Sequence, residues 1–327
     1  MKQIIVPLIV AAVLGALLAE SAQGRSFAPW LEELRAEARA LGISATTIDE
    51  VLSDVAPIPQ VIALDRHQPE NKENFWEYID KRVTPRRIER GRELLATHRK
   101  LLDAIEQQYG IAPQILIAFW GLETNFGDYT GTFPVIGSLV TLAYDERRGA
   151  FFRAELLAAL RILDEGHISA ADLNGSWAGA MGQLQFLPTV FLRHAVDADG
   201  DGRRDIWQSL PDIFASVANY LMQSGWKRGS TWGSQVTAPV ERDSLVGHER
   251  RSRPLHYWKA LKVDLGQLND YPAEESAILI MPAGQPGPAF LVLDNFETIR
   301  RWNRSDLYGL SVGHFADRLV GGGTLLR

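Results

Sequence analysis

Pro113-Gln114-Ile115-Leu116-Ile117-Ala118-Phe119-Trp120-Gly121-Leu122-Glu123-Thr124-Asn125-Phe126-Gly127 carries a single acidic side chain inside an otherwise apolar run. Proline suits the first helical position, because the N–H it lacks would have no partner there. Glycine accepts the left-handed backbone that ends many helices, so Gly127 is read as the stop. The spacing predicts a helix from Pro113 whose last turn holds Glu123. Exposed carbonyls give that turn partial negative charge, and the neighbouring residues offer little to solvate a carboxylate. Both effects disfavour the ionised form and raise its pKa. A carboxylic acid still protonated near neutral pH is what the leaving oxygen of a glycosidic bond requires. Taken alone, the stretch is also compatible with an ordinary amphipathic helix end carrying a solvated Glu.

The 327 residues are 46% apolar, enough for a sizeable core in one large domain or two. A formal charge of -6 and a pI near 5.7 argue against a nucleic-acid partner. The cluster Arg250-Arg251-Ser252-Arg253 reads as a solvated loop. At the N-terminus, Lys2 precedes an apolar stretch from Ile4 to Leu18, followed by small residues. Residues 1–24 are therefore expected to be a signal peptide, cut near Ala19-Glu20-Ser21 or Ala22-Gln23-Gly24. The alternative is an uncleaved anchor. Cysteine is absent, which excludes a disulfide scaffold, Cys metal ligands and a thiol for lipid attachment.

Helical spacing recurs from Phe27 to Leu52, from about Thr84 to Tyr109, over Phe151 to Leu163 and over Asp212 to Ser224. Val61 to Leu64 is read as a short strand or extended lead-in. From about Val236 the texture changes. Val236-Thr237-Ala238-Pro239-Val240 reads as a strand start, and Ser276 to Met281 and Ala289 to Leu293 as a hairpin around Pro282 to Gly287. Helix periodicity returns from Asn295 to Leu319. The expected organisation is residues 25–235 as a helical region and catalytic core, 236–293 as a small β domain and 294–327 as a helical segment completing the core. The class is α+β, predominantly helical.

Two further segments carry chemistry. In Ser176-Trp177-Ala178-Gly179-Ala180-Met181-Gly182-Gln183-Leu184-Gln185-Phe186-Leu187-Pro188 the small residues permit close backbone approach. Ser176 and Gln185 offer donors and acceptors for sugar hydroxyls, and Trp177 and Phe186 flat faces for sugar rings; a tightly packed helix–loop junction would look the same. The second segment, Asp197-Ala198-Asp199-Gly200-Asp201-Gly202-Arg203-Arg204-Asp205, matches the first half of a calcium loop. Asp197, Asp199 and Asp201 stand at positions 1, 3 and 5, Gly202 at 6, Arg203 (through its carbonyl) at 7 and Asp205 at 9. Gln208 occupies the twelfth position in place of a bidentate Glu, and Asp212 could close the shell instead. The seven histidines show no zinc spacing, and there is no nucleophile elbow, phosphate loop or dinucleotide fingerprint.

Together these motifs, with Ser216-Val217-Ala218-Asn219-Tyr220-Leu221, Gly225-Trp226, Asn295-Phe296 and Trp302-Asn303-Arg304-Ser305, resemble the lytic murein transglycosylase B family, glycoside hydrolase family 103. The resemblance implies a lysozyme-like core with flanking helices and a small β insertion, acting on peptidoglycan glycan strands. Glu123 looks like the single acid/base that protonates the oxygen between N-acetylmuramic acid and N-acetylglucosamine and then closes a 1,6-anhydro ring. Ser176 is implied to bond Glu123. Met181, Gln185 and Phe186 are implied groove residues, and Tyr78, Tyr220, Asn303 and Tyr308 sugar contacts; Trp302 stands where the family commonly has Tyr. The loop carries over as a structural calcium (or sodium) site, with no catalytic cofactor. The implied protein is a monomer, free in the periplasm, with other cell-wall enzymes as further partners. A non-catalytic peptidoglycan-binding protein and a hydrolytic muramidase are the competing readings.

Overall fold

In the computed structural model, residues 26–67, 73–237, 249–284 and 287–326 are described. The signal segment, Ala238-Pro239-Val240 and Gln285-Pro286 lie outside them. Among the described residues no helix is long and apolar enough to cross a membrane.

The chain divides between Val55 and Ala56 into two units. The first contains α1 (Phe27–Ala40) and α2 (Ala45–Leu52), which bury Leu34, Ala38, Ile48 and Leu52. The single helix expected from Phe27 to Leu52 is thus two. Gly42 turns the chain at φ 82°, and the Ser44 hydroxyl caps α2 by accepting from the Thr47 N–H at 3.2 Å.

In the second unit the helices are α3 (Pro59–Arg66), α4 (Phe75–Arg82), α5 (Pro85–Thr97), α6 (Arg99–Tyr109), α7 (Pro113–Thr124), α8 (Val135–Tyr144), α9 (Gly149–Asp164), α10 (Pro188–His194), α11 (Leu210–Gln223), α12 (Leu255–Ala260), α13 (Asp294–Trp302) and α14 (Asp306–Leu319). Val61 to Leu64 is helical, not a strand: a four-residue apolar run does not reveal its period, and Pro59 starts a helix as readily as it ends one. The helix expected from Thr84 to Tyr109 breaks at His98, where φ −99° and ψ 14° leave helical values. That expected from Asn295 to Leu319 breaks at Asn303, and Ser305 caps the new helix.

Helix α7 is apolar all round, and nine of its twelve residues are buried, so it runs through the core rather than along the surface. Helix α14 packs beside it. Gly121 of α7 faces Phe126 and Phe315; a Cβ there would lie 2.7 Å from both rings.

Strands β1 (Phe133–Pro134) and β2 (Asn174–Gly175) form a short antiparallel ladder. A second, four-stranded antiparallel sheet has the order β3 (Gly233–Val236), β6 (Ala289–Val292), β5 (Ser276–Ile280), β4 (Ser252–Pro254). The expected β5–β6 hairpin is present, with Ile278 opposite Val292. Val236 ends β3 rather than starting it. This sheet has its own apolar cluster around Trp258, Leu268, Leu279 and Leu291.

The β3 lead-in carries Trp232, whose ring lies on Gly313 of α14; a Cβ there would meet Cδ2 at 2.3 Å. The indole is 3% exposed and donates to Asp317 at 3.1 Å, so it has little room to yield. Gly313→Ala is therefore expected to cost about 1–3 kcal/mol, read as a lower denaturant midpoint at unchanged slope; an equal midpoint would show that the indole gives way.

Candidate active site

Helix α7 stops two residues before the expected Gly127. Asn125, Phe126 and Gly127 all adopt left-handed backbone (φ 52°, 63° and 82°). Asn125 caps the helix, its N–H donating to Gly121 O. Its side chain is held in turn, accepting from Arg87 Nε at 3.2 Å and donating to Asp128 at 2.8 Å. A phenylalanine at positive φ is strained, and such strain persists where surrounding contacts enforce it. Gly127 serves a different end from stopping the helix. A Cβ there would lie 2.3 Å from Gln183 Oε1. Gln183 uses that oxygen to accept from the Trp120 indole at 2.6 Å and its amide to donate to Trp207 O at 2.7 Å, tying α7 to the loop after β2.

Glu123 is thereby fixed at the end of α7. Its Oε1 accepts the Trp302 indole N–H at 2.9 Å and the Tyr308 hydroxyl. These donors flank the α13–α14 break, which is what brings both to one carboxyl. Surrounding protein pushes the Glu123 pKa up to about 7, opposed by the Tyr308 and Trp302 hydrogen bonds. The side chain nonetheless keeps partial solvent contact, as a proton donor to an external ligand must. Both donors occupy Oε1, so the proton of the neutral acid resides on Oε2. Burial, then the charge and hydrogen bond of Glu123, hold the Tyr308 pKa well above the usual phenol value, keeping its hydroxyl a donor.

Aromatic side chains form the surroundings. Trp302 packs on Phe119 (ring centroids 4.7 Å), Tyr220 (4.9 Å) and Phe186 (5.0 Å). Tyr78 and Tyr220 are close enough to Tyr308 to influence its ionisation, and the Arg82 guanidinium lies 3.4 Å over the Tyr78 ring. Met181 is fully buried and pairs through its backbone with Phe186. Gln185 stands at φ 49°, its amide donating to Thr130 O and Gly182 O at 3.0 Å each. Asn303 Oδ1 accepts from the Ser305 N–H. Ser176 does not serve Glu123 as expected: its oxygen accepts from the Ala180 and Ala178 N–H groups, at 3.0 and 3.3 Å, and shapes its own turn. Trp302 and Gln183 hold roles that their motifs did not reveal. An indole donor and a side-chain amide leave no local pattern, and Trp302 is 179 residues from Glu123.

In the acidic loop, oxygens of Asp197, Asp199 and Asp212 lie within 4.8 Å of one another. Asp212 is fully buried; its two oxygens accept the Ala198 and Asp205 N–H groups at 2.7 Å each, and burial raises its pKa. Asp212 thus joins Asp197 and Asp199 in one cluster from outside the twelve-residue loop spacing. Asp201 turns instead to Arg203, at 3.2 Å, and Asp205 accepts the Trp207 and Gln208 N–H groups. Three converging carboxylates fit a hard, oxygen-seeking cation.

A lysozyme-like helical core, with one carboxyl held near neutrality and clamped by aromatic donors, defines a glycan-cleaving class of enzyme. The chain belongs to the lytic murein transglycosylase family, for the family model of the transglycosylase SLT domain matches residues 26–317. It is 28% identical to membrane-bound lytic murein transglycosylase B of Escherichia coli over 282 residues, 83% of this chain and 77% of the relative. SltB3 from Pseudomonas aeruginosa, solved in complex with NAG-anhNAM-pentapeptide, superimposes with a TM-score of 0.88 at 43% identity, covering 93% of this chain and 82% of SltB3. The Escherichia coli transglycosylase Slt35, solved in complex with calcium, gives 0.77 at 26% identity, covering 89% and 92%.

Proposed function

We propose that this enzyme cleaves the β-1,4 bond between N-acetylmuramic acid and N-acetylglucosamine in peptidoglycan, leaving 1,6-anhydro ends, with Glu123 as its single acid/base. The observation that carries the reading is the Glu123 carboxyl, raised to about 7 and held at one oxygen. The NAG-anhNAM-pentapeptide held by SltB3 supports an anhydro product.

In this reading Oε2 gives its proton to the glycosidic oxygen as the C1–O bond breaks. The substrate's acetamido oxygen bonds to C1 from the opposite face, replacing the second carboxylate of an ordinary glycosidase. The muramyl 6-hydroxyl then displaces that oxygen from C1 and passes its proton to the Glu123 carboxylate. The acid is regenerated and no water is consumed. Tyr308 and Trp302 steady Oε1 through both halves, since each is a donor whether the acid is neutral or ionised. Tyr78, Ser176, Met181, Gln185, Phe186, Tyr220 and Asn303 line the sugar path, the buried ones by shaping its wall. Residues 25–235 with 294–327 act as the catalytic core and 236–293 as an accessory β domain. Export by the residue 1–24 signal places the enzyme in the periplasm. Soluble muropeptides released from purified sacculi by the wild type, and not by Glu123→Gln, would support the enzyme reading; equal absence from both would overturn it.

Asp197, Asp199 and Asp212 would hold calcium as a structural ion, which would offset the mutual repulsion of their charges. The calcium complex of Slt35 is consistent with this. Ion binding to the folded state alone adds about 2.7 kcal/mol at a hundredfold excess over Kd. Chelator should therefore lower Tm and added calcium restore it; an unchanged melting curve would count against the ion.

A further inference from the structure

Helices α7 and α14 run antiparallel: Glu123 and Tyr308 meet at one end, and Ile115 and Asp317 line a cavity at the other. At 1.5 Å per residue the two ends are roughly 12–14 Å apart along the helices. The cavity, about 390 Å³, is walled by Ile115, Trp226, Trp232, Tyr271, Arg228 and Asp317. Its volume falls in the range of small-molecule sites, and the chemistry at Glu123 uses none of these groups.

Its lining carries both signs of charge, Arg228 against Glu106 and Asp317. Arg228 is pinned over Gly110, where a Cβ would lie 2.8 Å from Nε, and its Nη2 donates to Glu106 O and Gln107 O at 2.8 and 2.6 Å. Those bonds engage one terminal nitrogen and leave the other to a ligand. Asp317 keeps one oxygen for the Trp232 indole and the other without a donor. Among the described residues neither group has an oppositely charged partner. Burial raises the Asp317 pKa to about 7, opposed by the Trp232 hydrogen bond, so a bound ammonium group would favour its ionised form. Ile115, Trp226 and Tyr271 supply apolar and aromatic lining in the same cavity, suited to a hydrocarbon side chain and to cation–π contact with an ammonium group.

We infer that this cavity is a second binding site, taking a small zwitterion of amino-acid size with its ammonium at Asp317 and its carboxylate at Arg228. Calorimetric titration with phenylalanine, N-acetylphenylalanine and phenylalanine amide tests it. The free amino acid should bind at least about tenfold more tightly than either masked form. Asp317→Asn should erase the preference over the N-acetyl form, and Arg228→Ala the preference over the amide. Glu123→Gln should bind as the wild type does, which separates this site from the catalytic one. No binding by wild type at about 10 mM, discrimination that survives both substitutions, or loss in Glu123→Gln would each overturn it. Arg228 is exposed, so its variant tests the site even if Asp317→Asn perturbs folding.

Discussion

Glu123→Gln is expected to slow muropeptide release by at least about 10²–10⁴-fold while raising Tm at about pH 8. The two effects share one cause. A carboxyl whose pKa rises from 4.5 in the unfolded chain to about 7 in the folded one prefers its proton in the fold. Between those values the folded state binds more protons than the unfolded state, so stability falls as pH rises, and above about 7 the loss is complete. Glutamine never ionises and escapes that loss. The variant should therefore melt higher than the wild type at about pH 8, with the difference closing at about pH 4. A difference independent of pH would show that Glu123 is not the group concerned. The same ionisation should make wild-type activity fall as pH rises through about 7, because the acid must enter the reaction protonated.

Phe119→Ala is expected to cost about 3–5 kcal/mol of stability and to damage catalysis as well. The ring is fully buried and lies 4.7 Å from Trp302 and 6.2 Å from Tyr308, directly behind both donors to Glu123. Its loss leaves a void into which either donor can retreat, loosening Oε1. Trp258→Ala supplies the comparison: this side chain is just as buried, but in the separate cluster under the β5–β6 sheet. Both variants should shift the denaturant midpoint, yet only Phe119→Ala should also alter the pH–rate profile of the protein that remains folded. Identical profiles would remove Phe119 from the positioning role.

The sequence disclosed most about the site where the chemistry is local. A carboxyl in an apolar run announces its own desolvation, and Asp residues at alternating positions announce a cluster of carboxylates. Contacts between distant segments leave no such trace. Trp302 and Tyr308 reach Glu123 because the chain breaks between α13 and α14, a break that continuous helical spacing from Asn295 to Leu319 concealed. Asp212 enters the acidic cluster from a helix beyond the loop, while Asp201, at a ligand position by spacing, turns away to Arg203. Helix α8 has almost no polar face and so offered no amphipathic period to read. Val61 to Leu64 was too short for its period to appear at all.

The central claim is that Glu123 serves alone and that the substrate's own hydroxyl, not water, completes the reaction. Digestion of purified sacculi in water enriched in heavy oxygen, with mass spectrometry of the released muropeptides, tests it most directly. New glycan ends should be 1,6-anhydro and carry no heavy oxygen. Reducing ends with heavy oxygen at C1 would contradict the account and make the enzyme a hydrolase.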